Sequence, residues 1–174
     1  MRLFDFITFQ KSKKTIVEKY KPFGFPVIFS ADVNTDSFTD RLAENAFGIC
    51  TGFNQIFKFK LIEKLEDFVN IHPSLLPFYR GPTPVEWCVA NKEKFTGWTL
   101  HSINEKIDAG EILFQEVIDI RSKRTFQIKS ELSNQAAEVL FNYLNKKRND
   151  AEFKIIKVDT IQYYQNSVGY KYFL

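Results

Sequence analysis

Sulfur is scarce in this chain: its 174 residues include one Met and two Cys, Cys50 and Cys88. The cysteines lie far apart and outside any paired-ligand spacing, which gives no footing for a disulfide framework and favours a reduced, cytoplasmic setting. A zinc site drawn from Cys50, Cys88, His72 and His101 would lack the close ligand pair on which such sites are built. Both thiols therefore read as buried structural residues, and no metal is expected. No apolar run reaches the length of a membrane span, and Met1-Arg2-Leu3-Phe4-Asp5 lacks the long apolar core of a secretory signal. A large excess of either charge is missing too. The formal net charge of +3 demands neither nucleic acid nor an anionic membrane, while leaving anionic ligands easy to accommodate. No internal repeat or low-complexity linker interrupts the chain, and no glycine precedes Gly24. Phenylalanine, by contrast, is abundant at 19 residues and reads as core filling. The length suits a single domain spanning residues 1–174.

Hydrophobic periodicity alternates strand and helix along much of this length. Leu3 to Phe9 reads as a strand, Lys11 to Tyr20 as a short basic helix stopped by Pro22 and Gly24, and Phe25 to Ser30 as a second strand. Asn34 or Thr35 caps a helix that runs to about Asn45 through Phe38, Leu42 and Ala46. Phe47 to Gly52 is small and apolar, as a central strand should be, and Phe53 to Phe57 forms the loop after it. A helix over Ile56 to Asp67 then feeds a strand, Phe68 to His72. Thr83-Pro84 opens another helix, with Trp87 and Cys88 facing inward or lining the loop above it. Gly97 to Ile103 and Ile112 to Ile120 form an antiparallel pair about an acidic turn, Asn104 to Gly110. Thr125 to Lys147 is the longest helix, with Ile128, Leu132, Ala136, Val139, Leu140, Tyr143 and Leu144 on one face. Phe153 to Val158 is a last strand candidate before an aromatic tail. Such alternation implies an α/β fold with a mostly parallel sheet flanked by helices and an antiparallel extension.

Chemistry concentrates at Asn70-Ile71-His72-Pro73-Ser74-Leu75-Leu76-Pro77. Side chains alternate along a strand, so Asn70 and His72 share a face. Pro73 cannot donate to a ladder, which makes His72 the last strand residue, at the sheet edge where α/β proteins bind ligands. Singly, each residue has a plain structural reading: Asn70 ends a strand, His72 is a satisfied edge histidine, Asp108 forms a turn, and Ser74 bonds the backbone of its own turn. An amide and an imidazole aimed together into a cleft are, however, donors suited to an oxyanion that develops when an amine attacks a carbonyl. A carboxylate beside the imidazole would hold it charged or correctly oriented, and would help to remove the amine's proton through water. No serine or cysteine stands out as a nucleophile, in keeping with direct transfer.

Asn70-x-His72, the Ser74-to-Pro77 turn, Arg80-Gly81 and Ile107-Asp108-Ala109-Gly110-Glu111-Ile112-Leu113 together resemble the folate-dependent formyltransferase family, over about Phe47 to Leu144. That family includes methionyl-tRNA, glycinamide ribonucleotide and sugar-amine formyltransferases. The resemblance implies a Rossmann-like sheet, 10-formyltetrahydrofolate as formyl donor, and a triad falling on Asn70, His72 and Asp108. It places the pterin between two loops, with Phe53, Gln55, Ile56 and Phe57 on one side and Ile103, Asn104, Glu105 and Ile107 on the other. Phe57 either stacks on or narrows that pocket, or packs in the core. Ser74 and Arg80 are the implied substrate contacts, and His101, on a strand, is assigned no role.

The chain also departs from the family. The glycine-containing loop and further strand–helix units that family members carry before the central strand are short or missing here, which makes the first part look shortened. The segment Arg80-Gly81-Pro82-Thr83-Pro84-Val85-Glu86-Trp87 looks like the sugar-amine and tRNA branches, and the short end after it speaks against the tRNA branch. The implied acceptor is thus a small amine, in particular a nucleotide-linked amino sugar. Another amine, such as an amino acid or aminoacyl-tRNA, and a binding-only family member are the alternatives. Lys11, Lys13, Lys14, Lys92 and Lys94 read as solvated surface, and the tail aromatics as either a homodimer contact or packing onto the domain.

Overall fold

The computed structural model describes residues 30–43, 46–53 and 55–148. The expected strands at Leu3 to Phe9 and Phe153 to Val158, the strand at Phe25 to Ser30 except for Ser30 itself, the basic helix at Lys11 to Tyr20 and the aromatic tail lie outside these residues. The chain divides into two compact units, one ending at Phe68 and one beginning at Val69.

In the first unit, Asp36–Thr39 forms a single helical turn (α1), Ala46–Thr51 the strand β1 and Phe59–Lys64 the helix α2. Strand β2, Leu65–His72, continues from α2 into the second unit. A strand–helix–strand connection is the kind that parallel neighbours require. The expected helices over Asn34 to Asn45 and Ile56 to Asp67 are therefore much shorter than their apolar spacing suggests. From Leu65 onward, pairing in the sheet wins over helix continuation. Buried Val33, Phe38 and Leu61 form the core of this unit, with Leu42, Phe53, Phe57 and Leu65 packed around them.

The second unit adds helix α3 (Pro84–Ala90), strands β3 (Phe95–Ser102) and β4 (Ile112–Asp119), and the long helix α4 (Thr125–Arg148). The strand order is β1-β2-β3-β4. The architecture is α/β and Rossmann-like, with the antiparallel extension expected around the Asn104 turn. That extension takes in β2 as well, since β2 runs antiparallel to β3 and β3 to β4. Both helices pack against β3, where Trp98 and Leu100 are fully buried. From α4 come Ile128, Leu132, Ala136 and Tyr143, and from α3 Val85 and Cys88. Each fully buried large aliphatic side chain contributes about 1.5–3 kcal/mol. Trp87 does not accompany Cys88 inward: it is 44% exposed, on the helix about 100° round from Cys88.

Candidate active site

Register brings the first polar groups together. Asn70 on β2 lies opposite His101 on β3, and His72 opposite Thr99. Opposed residues of an antiparallel ladder share a face, so these four side chains project from one side of the sheet edge. Asp108 completes the group from the β3–β4 loop. The loop closes on itself, with Asn104 donating to the Ala109 carbonyl at 3.2 Å and accepting from the Lys106 N–H at 2.9 Å. Asp108 itself is left-handed (φ 46°), a conformation that Asp tolerates better than most residues but that still carries about 1–2 kcal/mol of strain. Gly110 follows because the loop passes so close to β3 that a Cβ there would lie 1.7 Å from the Ser102 carbonyl oxygen.

The Asp108 carboxylate is the hub. Its Oδ1 accepts from the Asn70 amide at 3.3 Å, and its Oδ2 accepts the Gly81 N–H at 2.8 Å, from a glycine held at φ 88°. The same carboxylate stands 3.4 Å from His72 Nδ1 and 3.6 Å from His101 Nε2. Because a carboxylate only accepts, Asn70 must turn its NH2 toward Asp108, and its second hydrogen then goes to His101 Nε2 at 3.1 Å. His101 Nε2 is thus an acceptor, and its proton sits on Nδ1, donated to the Ser102 carbonyl at 2.8 Å. On His72 the proton sits at the other nitrogen: Nε2 donates to the Tyr79 carbonyl at 2.8 Å, leaving Nδ1 toward Asp108.

Electrostatics follow from this packing. Burial pushes the His72 pKa down and outweighs the pull of Asp108 and the Tyr79 carbonyl, so the ring lies below its ordinary 6.5 and is neutral at pH 7. Burial also pushes the Asp108 carboxyl up, but the adjoining His101 ring, the nearby His72 and the Gly81 N–H together hold it below its ordinary value. A neutral imidazole with one open nitrogen beside an ionised carboxylate can take up a proton and have the resulting charge stabilised at once.

On the same face a buried network fixes the loop after His72. Thr99 Oγ1 donates to the Ser74 carbonyl at 2.7 Å and accepts from the Leu76 N–H at 3.1 Å. Gln115 Nε2 adds donations to Thr99 Oγ1 at 2.7 Å and to the Leu76 carbonyl at 3.0 Å. Ser74, an expected substrate contact, is fully buried and gives its hydroxyl to the Phe78 carbonyl at 2.7 Å, which leaves it no surface for a substrate and makes it a turn former. Arg80 is exposed beside Gly81.

The residues expected to receive the cofactor divide between the units. In the second, Asn104 and Glu105 are exposed, Ile107 is 56% exposed and Ile103 is half-buried. In the first, Ile56 is exposed, whereas Phe57 packs against the core, stacked on Phe53 and edge-on to Phe68. Of the two readings of Phe57, the core one describes its surroundings. Gln55 spends both ends of its amide on the backbone of Ala31 and Val33. His101, Thr99, Gln115 and Tyr79 join the site's hydrogen-bond network without a sign in the local sequence. The first two carry the same two-residue spacing on β3 as Asn70 and His72 on β2, a signal that becomes meaningful only once the strands are paired. Among the described residues no group of His, Cys, Asp or Glu could hold a metal ion, and no helix is long and apolar enough to cross a membrane.

At this sheet edge an amide and two imidazoles converge on one carboxylate. The chain belongs to the formyl transferase family, whose model matches residues 14–144. It is 33% identical over 129 residues to the methionyl-tRNA formyltransferase of Thermodesulfovibrio yellowstonii, covering 72% of this chain and 42% of that protein. Its fold resembles the crystal structure of a 4-N formyltransferase from Francisella tularensis, with TM-score 0.68 and 22% identity, covering 98% of this chain and 72% of the other. It also resembles phosphoribosylglycinamide formyltransferase from Bacillus halodurans, with TM-score 0.62 and 25% identity, covering 74% and 71%. The chain spans about half the length of the curated relatives it matches.

Proposed function

We propose that this protein transfers a formyl group from 10-formyltetrahydrofolate to a small amine, with a nucleotide-linked amino sugar as the acceptor. The observation that carries the reading is the pair of contacts on Asp108: the Asn70 amide donates to its Oδ1 at 3.3 Å, and His72 Nδ1 stands 3.4 Å from its Oδ2. This donor and acceptor set fits a formyl donor, which supplies a carbonyl carbon whose oxygen gains negative charge when an amine adds. His72 Nδ1 takes the proton that the amine must lose, and Asp108 stabilises the imidazolium that forms. The same nitrogen then returns that proton to the departing nitrogen of the donor, so that one C–N bond forms, one breaks and no proton is left over. Asn70 holds its 3.3 Å contact to Asp108 more loosely than its 3.1 Å contact to His101, and the looser hydrogen is the one available to a developing oxyanion.

The Arg80-to-Trp87 segment supports the sugar-amine acceptor, in keeping with a fold shared with a candidate sugar N-formyltransferase from Mycobacterium tuberculosis. A second reading, transfer to an aminoacyl-tRNA, is favoured by the identity to methionyl-tRNA formyltransferases. Incubation of the protein and 10-formyltetrahydrofolate with nucleotide-linked amino sugars, free amino acids and methionyl-tRNA, followed by mass spectrometry, separates the two. Formylated sugar nucleotide supports the first reading. Product from methionyl-tRNA alone replaces it with the second, and folate binding without any product would make the chain a binding-only family member.

A further inference from the structure

We propose that Tyr79 is a positioning residue for His72: its hydroxyl pins the loop after β2 to the end of α3, and its carbonyl thereby selects which nitrogen of His72 carries the proton. The proposal rests on the formyl-transfer reading and adds to it a device that decides which His72 atom is free to work.

The geometry makes Tyr79 a two-ended clamp. At one end the ring is buried, and its hydroxyl donates to Glu93 and accepts from Asn91 Nδ2 at 3.3 Å. Both partners lie just beyond α3 and are themselves held, Asn91 through its N–H to the Trp87 carbonyl at 2.9 Å and Glu93 through its N–H to the Cys88 carbonyl at 3.0 Å. At the other end, the Tyr79 carbonyl accepts from His72 Nε2 at 2.8 Å. Between them the backbone is left-handed (φ 55°), a conformation disfavoured for a bulky residue and kept only where its surroundings enforce it. The buried hydroxyl contacts supply that enforcement.

Two acceptors compete for the single proton of a neutral His72. The Tyr79 carbonyl lies 2.8 Å from Nε2, whereas Asp108 lies 3.4 Å from Nδ1. The shorter contact wins and leaves an Nδ1 lone pair for an amine's proton. If the carbonyl drifts away, Asp108 becomes the better partner and draws the proton onto Nδ1. The ring then presents no base to the substrate, although every side chain of the triad is still in place. The Ser74 hydroxyl donates to the Phe78 carbonyl at 2.7 Å and, more weakly, to the Tyr79 carbonyl at 3.5 Å.

The test is long-range 15N–1H correlation NMR on the labelled protein, which needs no substrate. The chain has two histidines, so a His72→Gln spectrum assigns the signals. The wild type should show His72 with its proton on Nε2. Tyr79→Phe and Glu93→Ala should shift it toward Nδ1, while Glu93→Gln, which keeps an acceptor for the hydroxyl, should resemble the wild type. In formyl-transfer assays the first two variants should lose about tenfold in kcat, with KM changed by less than about twofold. If Tyr79→Phe does not fold, the Glu93 pair carries the comparison. A wild-type Nδ1–H tautomer, or variants with an unmoved tautomer or unchanged kcat, overturns the proposal. A tautomer that moves as expected in a protein that formylates no amine supports the clamp and overturns the function proposed above instead.

Discussion

Gly110→Ala is the perturbation whose cost the structure fixes best. A Cβ at this position would meet the Ser102 carbonyl oxygen at 1.7 Å, its carbon at 2.6 Å and the Ser102 Oγ at 2.7 Å. Carbon and oxygen approach comfortably only to about 3.3 Å, so the backbone of the β3–β4 loop must retreat by roughly 1.5 Å. That retreat breaks two bonds that seat the loop, from the Ser102 N–H to the Glu111 carbonyl and from the Glu111 N–H to Ser102 Oγ, each 2.8 Å long. At about 1 kcal/mol for each bond and about 1–3 kcal/mol for overpacking, the loss of stability should be about 3–5 kcal/mol. Asp108 lies two residues upstream and moves with the loop, and a misplacement of about 1 Å in an active-site group costs about 100-fold in rate. Urea unfolding followed by circular dichroism measures the first effect, and steady-state formyl transfer the second. A variant with wild-type stability and turnover would refute the claim that close approach to β3 is what places the carboxylate.

Other consequences are quicker to state. His101→Leu should lower kcat about tenfold by depriving the Asn70 amide of its second acceptor, and His101→Gln, whose side-chain oxygen can take that hydrogen, should recover part of the loss. Activity that is untouched in His101→Leu would show that Asn70 is held without it. Stability should depend on pH in two windows. His72 has a folded pKa below 6.5, so its contribution is complete above 6.5 and is lost as pH falls from there through the folded value. Asp108, lowered from 3.8, contributes above 3.8 and loses that contribution as pH falls through its folded value. Urea midpoints for wild type, His72→Gln and Asp108→Asn should show the upper window vanish in the first variant and the lower one in the second; identical profiles would refute both assignments.

Local pattern and resemblance reach different parts of this molecule. Asn70 and His72 are legible because a strand alternates and a proline ends it, two facts written within a few residues. Asp108 is legible only through family spacing, since as a lone Asp before Ala109-Gly110 it reads as a turn former. His101 is not legible in the sequence because its place depends on pairing: nothing near it in sequence announces that β3 sets it opposite Asn70. Thr99 and Gln115 are hidden for the same reason, as their bonds to the Ser74–Leu76 backbone span distant positions. Ser74 illustrates the reverse: the resemblance marks it as a substrate contact, while its local chemistry, a hydroxyl beside a tight turn, correctly suggests a turn bond. Helix lengths were overestimated where sheet neighbours rather than local periodicity decide the outcome, as at Leu65 to Phe68. The long helix at Thr125 was legible almost to its ends, because its apolar face repeats over many turns.

The central claim is that proton transfer at His72 Nδ1 drives formyl transfer. Its most direct test is single-turnover formylation of a nucleotide-linked amino sugar by the wild type and by His72→Gln, with folding of both checked by circular dichroism. The account predicts product from the wild type and a rate at least about 100-fold lower from the folded variant. A folded His72→Gln protein that turns over at the wild-type rate would contradict it.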